Sequence, residues 1–575
     1  MFRSRVPRGL RRVLTVIAAS LAAAGSTAVL ASAGPWSDDD RRDRGLHIGD
    51  VGTADIVLYD GRISTVDKRN ATVEAIAIRD GKVMATGEDH QVRKLADRST
   101  KMVDLNGRRV LPGLIDGHLH GMREGYHCWT QGVRFDLVTK RATTLAMLQA
   151  KADQLADGRW IWANGGGWNI NQLDDPTPFT FGELTAVAPN NPVWVAGPAA
   201  GGGTGMTGPR VNQAALDAVG LAAGSPGVQL GPDGKPTGVI SGQASALVNA
   251  AIRAQFDALG IEGEANCLED FVKEANSRGL TGWKDAGGNT APFGTTGGIN
   301  DGLRVEEGAM HLYRTKGLNA RIAYNAMSGY AGFPRQLEDT RNAVGFLGDD
   351  MFRYMGPGED MMPNDPDYND FTRHSAAKRL SVETHVGVID PLLDGFEAAD
   401  EVHPIDELKW RIAHPNAGEP TDVQLDRADA LGVGWALTTL PVRNGGPGPR
   451  YRTTMLESDH MCLGSDAMNG SPWAPFQRMW YIISGDTMIP GVAGVPPEER
   501  LTRTEMLRHE TVECGWFIDQ EGRVGSLQPG WHADLIVLDR DYFTVPVDQI
   551  KDIKSNLTIV DGRIVHADGA FKHVD

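Results

Sequence analysis

The sequence predicts an α/β protein: a (β/α)8 TIM-like barrel joined to a composite β-sandwich built from the two ends of the chain. Three observations predict it. After Ala54, short alternating apolar runs broken by Asp-Gly and Asn-Gly turns follow one another, as in ADIVLYDGRISTV, VEAIAIRDGKVMATG and KMVDLNGRRVLPG. The same texture returns near the far end in ADLIVLDRD and SNLTIVDGRIVHADGAF. Between these segments, apolar runs that stop at polar residues alternate with helix-like stretches, as in a parallel barrel whose chemistry gathers at strand C-terminal ends.

Each element follows in chain order. Residues 1–33 carry Arg3, Arg5, Arg8, Arg11 and Arg12, then an Ala/Leu/Val-rich run, then Ala31-Ser32-Ala33, which reads as a signal peptide of twin-arginine type. It predicts an exported protein, secreted or held in a periplasmic or cell-envelope space, with no membrane association after cleavage. Residues 34–52 are polar and read as a flexible tether. Residues 53–113 and 521–575 are the two parts of the sandwich, each too small to bury a core alone. The barrel is placed at 114–520. Its candidate strands are RWIWANGGGW (159–168), PVWVAG (192–197), GLTGWKDAGG (279–288), ARIAYNAM (320–327), MFRYMG (351–356), LSVETH (380–385), LKWRIAH (408–414), GVGWALTT (432–439) and MCLGSD (461–466). With VLPGLID ahead of them these exceed eight, so at least one belongs to an insertion.

Composition narrows the function. The 575 residues carry Lys+Arg 57 against Asp+Glu 74, a formal net charge of −17, without basic clusters beyond the N-terminus. That balance argues against nucleic acid and anionic membranes and favours a small-molecule substrate. The four cysteines, Cys128, Cys267, Cys462 and Cys514, form no CxxC pair, so neither a disulfide-stapled scaffold nor a cysteine zinc knuckle is expected, and at most one incidental disulfide. Gly203 to Gly208 spells GxGxxG, but Pro209 follows and no βαβ context surrounds it, so it reads as a loop.

The chemistry-bearing residues sit where apolar runs end. His118 and His120 follow VLPGLID, and residues two apart on an extended segment share a face, so both imidazoles reach one metal ion. His385, His414 and Asp466 each close a later run. Three or four histidines with an aspartate suit Zn, Mn, Fe or Ni, with zinc the first choice. His127 and Cys128 lie close behind the first pair. Trp129, Trp168, Trp283, Trp473 and Trp480 fall near proposed strand ends and would suit an aromatic or apolar acyl group of the substrate.

LPGLIDGHLH, RIAH and LGSD, with DIVLYDGRI at the start and GSLQPGWHADLIVLDRD at the end, resemble the amidohydrolase superfamily, in particular its family 3, YtcJ-like branch. The resemblance spans residues 54 to 570. It implies a metal-dependent hydrolase of amide-type C–N bonds, N-acyl or N-formyl among them. His118 and His120 become the first-strand metal ligands, His385 and His414 those of the fifth and sixth strands, and Asp466 the last-strand aspartate. Metal binding lowers the pKa of water toward ~7. Asp466 then acts as general base and acid, while the metal and a histidine such as His385 stabilise the tetrahedral oxyanion.

The sequence departs from the branch in two places. Dinuclear relatives carry a carboxylated lysine in a segment like VKIFADG, and the matching MFRYMGPGED puts Arg353 there; a guanidinium does not form a carbamate. One ion is therefore expected rather than two, with Lys284 in GWKDAGG the alternative bridging ligand. THVGVID also lacks the HAxGD spacing, and RIAHPN stands where RIEHAQ is usual. Two rival functions stay open: hydrolysis of a lactone, carbamate or other non-amide bond, and a lapsed enzyme that binds small molecules. A homo-oligomer is compatible with either.

Overall fold

The computed structural model describes residues 41–42, 45–49, 52–123, 128, 132–163, 168–195, 208–287, 302–326, 337–338, 340–359, 363, 365–385, 387–439, 442, 445–467 and 472–574. The signal-peptide segment 1–33, His127, Trp129 and the loop 203–207 lie outside them.

Two sheets pack around one apolar cluster made by both chain ends. In the first, the strand order is Arg41–Arg42, Ala71–Val73, Arg62–Ser64, Arg109–Pro112, Leu535–Leu538, Ser555–Val560 and Arg563–Ala567. Arg109–Pro112 pairs antiparallel with Leu535–Leu538, Val110 facing Val537, so the C-terminal strands complete a sheet begun near the N-terminus. The second sheet runs His47–Ile48, Lys82–Gly87, Ala75–Arg79, Ile56–Tyr59 and Lys101–Asp104. Leu58, Ile76 and Val103 share a cluster with Val110, Leu535 and Leu557, all essentially inaccessible. The tether expected over 34–52 is partly wrong. Arg41–Arg42 pairs with Ala71 and Thr72, and His47–Ile48 with Thr86 and Ala85, because each sheet offers an edge whose backbone groups need partners.

Eight parallel strands among the described residues carry the central body: β1 (Leu114–Leu119), β2 (Leu280–Asp285), β3 (Arg321–Ala326), β4 (Phe352–Pro357), β5 (Glu383–His385), β6 (Arg411–Ala413), β7 (Gly434–Thr438) and β8 (Met461–Gly464). β1 to β4 are neighbours in one sheet and β5 to β8 in another. Backbone bonds bridge them at both seams: Ser381 N donates to Met355 O at 3.0 Å, and Asp466 N to His118 O at 2.8 Å. Gly464 permits the second seam, since a Cβ there would meet the His118 backbone N at 2.7 Å. Helix Gly260–Ser277 buries Leu268, Phe271, Val272 and Ala275, spaced to fall on one face. Helix Asp422–Leu431 is capped by Thr421 and Gln424 in a capping box and ends at Gly432 with φ 67°.

RWIWANGGGW and PVWVAG contribute to neither set. They supply Ile161–Ala163 and Val193–Val195 of a separate six-stranded sheet inserted after β1. All four cysteines are paired, Cys128 with Cys267 and Cys462 with Cys514, which overturns the expectation of one incidental disulfide at most. Sequence separations of 139 and 52 residues hid the pairings, which only tertiary folding brings within reach.

Candidate metal centre

The site is built at the C-terminal ends of β1, β4, β5, β6 and β8. His118 ends inside β1 and His120 follows it; Glu359 lies just past β4; His385 ends β5; His414 follows β6; Asp466 follows β8. His414 and Asp466 have φ of 36° and 48°, left-handed conformations that cost a β-carbon residue on the order of 1–3 kcal/mol and persist only where the surroundings hold them. Both turn sharply off their strands at the point where the side chain must leave.

Glu359 is the residue that sequence reasoning missed. Its carboxylate, 4% exposed, spans the two groups of imidazoles. Oε2 lies 3.5 Å from His118 Nε2 and 3.3 Å from His120 Nε2, while Oε1 lies 2.5 Å from His385 Nδ1 and also contacts His414 Nε2. Asp466 Oδ1 sits 3.6 Å from His118 Nε2 and 3.3 Å from His120 Nε2. Two overlapping sets of three donor atoms result, His118/His120/Asp466 and His118/Glu359/His414, each within 4.8 Å of one another.

These groups suit a divalent transition metal. Imidazole nitrogens and carboxylate oxygens are the donors that zinc and its neighbours accept. His118 donates Nδ1–H to Glu383 at 2.5 Å, and His120 donates Nδ1–H to the Gly287 carbonyl at 2.5 Å, leaving both Nε2 lone pairs facing the cluster. Among the described residues, the buried His118 Nε2 has no hydrogen-bond partner. Burial would raise the Asp466 carboxyl, but the adjacent His118, His120 and His414 imidazoles outweigh it and hold it below the ordinary range.

Buried polar residues hold this arrangement from behind. Asp116 Oδ1 accepts from His118 N and from Ser465 N, each at 3.0 Å, tying the β1 and β8 ends together. Its Oδ2 accepts from Arg478 at 2.9 Å, and Arg478 makes a second, two-pronged pair with Glu510. Charge-assisted pairs of this kind keep the carboxylate in one orientation.

Two expectations need correction. Arg353 does not reach the imidazole cluster: it lies near the opposite end of β4, where it pairs with Asp519 and, at 3.3 Å, with Asp350. It therefore says nothing about the number of ions; the residue past β4 that reaches the imidazoles is Glu359. Lys284 is not among the converging donors either; its Nζ pairs with Glu383 Oε2 at 3.0 Å and donates to the Asp285 carbonyl at 2.7 Å. Of the tryptophans named from the sequence, Trp168, Trp283, Trp473 and Trp480 are buried, and Trp473 also lines a cavity with Leu137, Val138 and Gln477. Trp168 packs edge-on against Phe135, Trp283 and Trp473 against Phe271, and Trp480 is buried beside Tyr481. Replacing Arg353 with Met is expected to leave metal content at the wild-type value in elemental analysis and to cost at most about 1 kcal/mol in denaturant unfolding.

A buried imidazole and carboxylate cluster at the ends of parallel strands defines the class, hydrolases that act on C–N bonds with a metal ion. The chain belongs to the amidohydrolase family, whose sequence model matches residues 101–566. Among relatives, N-substituted formamide deformylase of Arthrobacter pascens is 24% identical over 556 residues, covering 88% of this chain and 97% of the relative. Putative amidohydrolase YtcJ of Bacillus subtilis (strain 168) is 27% identical over 564 residues, covering 89% and 99%. An uncharacterized metal-dependent hydrolase from Pyrococcus horikoshii OT3 shares the fold, with a TM-score of 0.59 and 18% identity over 86% of this chain and 99% of that one.

Proposed function

We propose that this chain is an exported, binuclear metal-dependent amidohydrolase that cleaves the C–N bond of an N-formyl or N-acyl small molecule. The observation that carries it is the Glu359 carboxylate reaching both His118/His120 and His385/His414, with Asp466 beside the first pair. On this reading β1 to β8 close into the (β/α)8 barrel, and the two sheets from the chain ends form the composite sandwich. His118, His120 and Asp466 would hold one ion, His385 and His414 the other, and Glu359 would bridge them; zinc fits the donors. Such ions supply Lewis acidity and a water acidic enough to lose its proton at neutral pH.

Asp466, ionised and 14% exposed at its side chain, takes the proton of the attacking water and delivers it to the departing nitrogen. His385, the most exposed of the four imidazoles at 36% of its side chain, lies on the accessible side of the cluster. The formamide specificity of the Arthrobacter pascens relative, which aligns along nearly its whole length, favours an N-formyl substrate. Two disulfides and the arginine-led apolar start support export to an oxidising compartment.

The test combines elemental analysis of protein purified without added metal with turnover of N-formyl, N-acyl, carbamate and lactone substrates. Two equivalents of metal and preferred release of formate or a carboxylic acid from the amides are expected. Preferred lactone or carbamate turnover would overturn the substrate assignment, and absence of metal after reconstitution would overturn the metal centre.

A further inference from the structure

We propose that Lys284 and Asp285, consecutive residues at the end of β2, are positioning residues that aim the imidazoles of His118 and His120 at the metal centre. The inference rests on the metal-centre reading above. Successive side chains on a strand leave it on opposite sides. Here the two directions serve the two histidines separately.

Lys284 acts on His118 through Glu383. All three side chains are fully buried. One oxygen of Glu383, Oε1, accepts Nδ1–H of His118 at 2.5 Å; the other faces Lys284 Nζ at 3.0 Å and Arg411 Nε at 3.3 Å. Arg411 is itself fixed by the Phe517 carbonyl at 2.9 Å and the Ser381 hydroxyl at 2.8 Å. The carboxylate is pinned from behind in the rotamer that faces His118, and the imidazole can turn only its Nε2 to the centre.

Asp285 acts on His120 through backbone. Its Oδ1 accepts from Gly287 N at 3.1 Å, and its Oδ2 accepts from Met122 N at 2.8 Å and from the Trp283 indole at 2.9 Å. Gly287 supplies the carbonyl that accepts His120 Nδ1–H, and Met122 is two residues past His120. One carboxylate thus fixes the acceptor of His120 and the chain that carries it. Partners one step removed from a metal set ligand orientation, and their loss costs roughly 10–100-fold in metal affinity.

The experiment uses Lys284→Met and Asp285→Asn. Lys284→Met leaves Glu383 paired with Arg411, and Asp285→Asn preserves volume. Metal release to an excess of chelator is followed for each variant, with the ligand-field spectrum of the cobalt(II) form and the thermal midpoint of the metal-free protein. Release about tenfold faster than wild type and a shifted cobalt spectrum are expected, with the metal-free midpoint close to wild type. A purely structural role would lower the midpoint and leave the spectrum unmoved, which overturns the proposal. Wild-type release rates in both variants overturn it too, while leaving the metal centre standing. A wild-type protein that holds no metal overturns both.

Discussion

Replacing Asp466 with Asn is expected to lower kcat/KM about a thousandfold while binding of a non-hydrolysable substrate analogue stays within a few-fold of wild type. The carboxylate lies 3.3 Å from His120 Nε2, and the adjacent first-strand imidazoles hold its pKa below the ordinary carboxylate range. An amide of the same shape still occupies that place and still offers an oxygen, but it has no basic site to take a proton from water. Loss should therefore fall on the proton-transfer step and appear in kcat, with KM little changed. Steady-state kinetics on the preferred amide checks this. Unchanged turnover would remove Asp466 from the chemistry.

The second large effect is expected at Glu359. Glu359→Gln should lose at least one of two metal equivalents and lower kcat/KM by more than about a hundredfold, since removing even a partner one step beyond a metal costs up to that. The buried carboxylate carries its negative charge beside four imidazoles, and its two oxygens face different histidine pairs. A glutamine keeps the volume but turns one of those oxygens into an NH2 donor. Elemental analysis decides the matter, with thermal melting of the metal-free variant as the control for folding. A full complement of metal in the variant would show that Glu359 does not bridge.

The site residues that were legible share one signal. His118, His120, His385, His414 and Asp466 each stand at the end of an apolar run, where a parallel strand delivers its side chain to the sheet edge; four of them fall in the two donor sets and His385 Nδ1 lies 2.5 Å from Glu359. Glu359 carries the same signal, two residues beyond Pro357, yet the comparison with lysine-bearing relatives drew attention to Arg353 six positions earlier. A search by strand end would have found it; a search by residue type did not. The role of Lys284 was misread for a related reason. A lysine at a strand end looks like a ligand in one dimension, and only the position of Glu383, on a strand far along the chain, shows where its charge goes.

The pairing of Arg109–Pro112 with Leu535–Leu538 bears on how this protein is made. The strand that must lie beside Pro112 leaves the ribosome only after the whole central body has been synthesised. At about 5–20 residues per second, that is a wait of roughly 20–80 s. Through that interval Val110 and Leu111 have no neighbour on one side, so the N-terminal strands present an open edge. A strand made late in synthesis thus shields one made early.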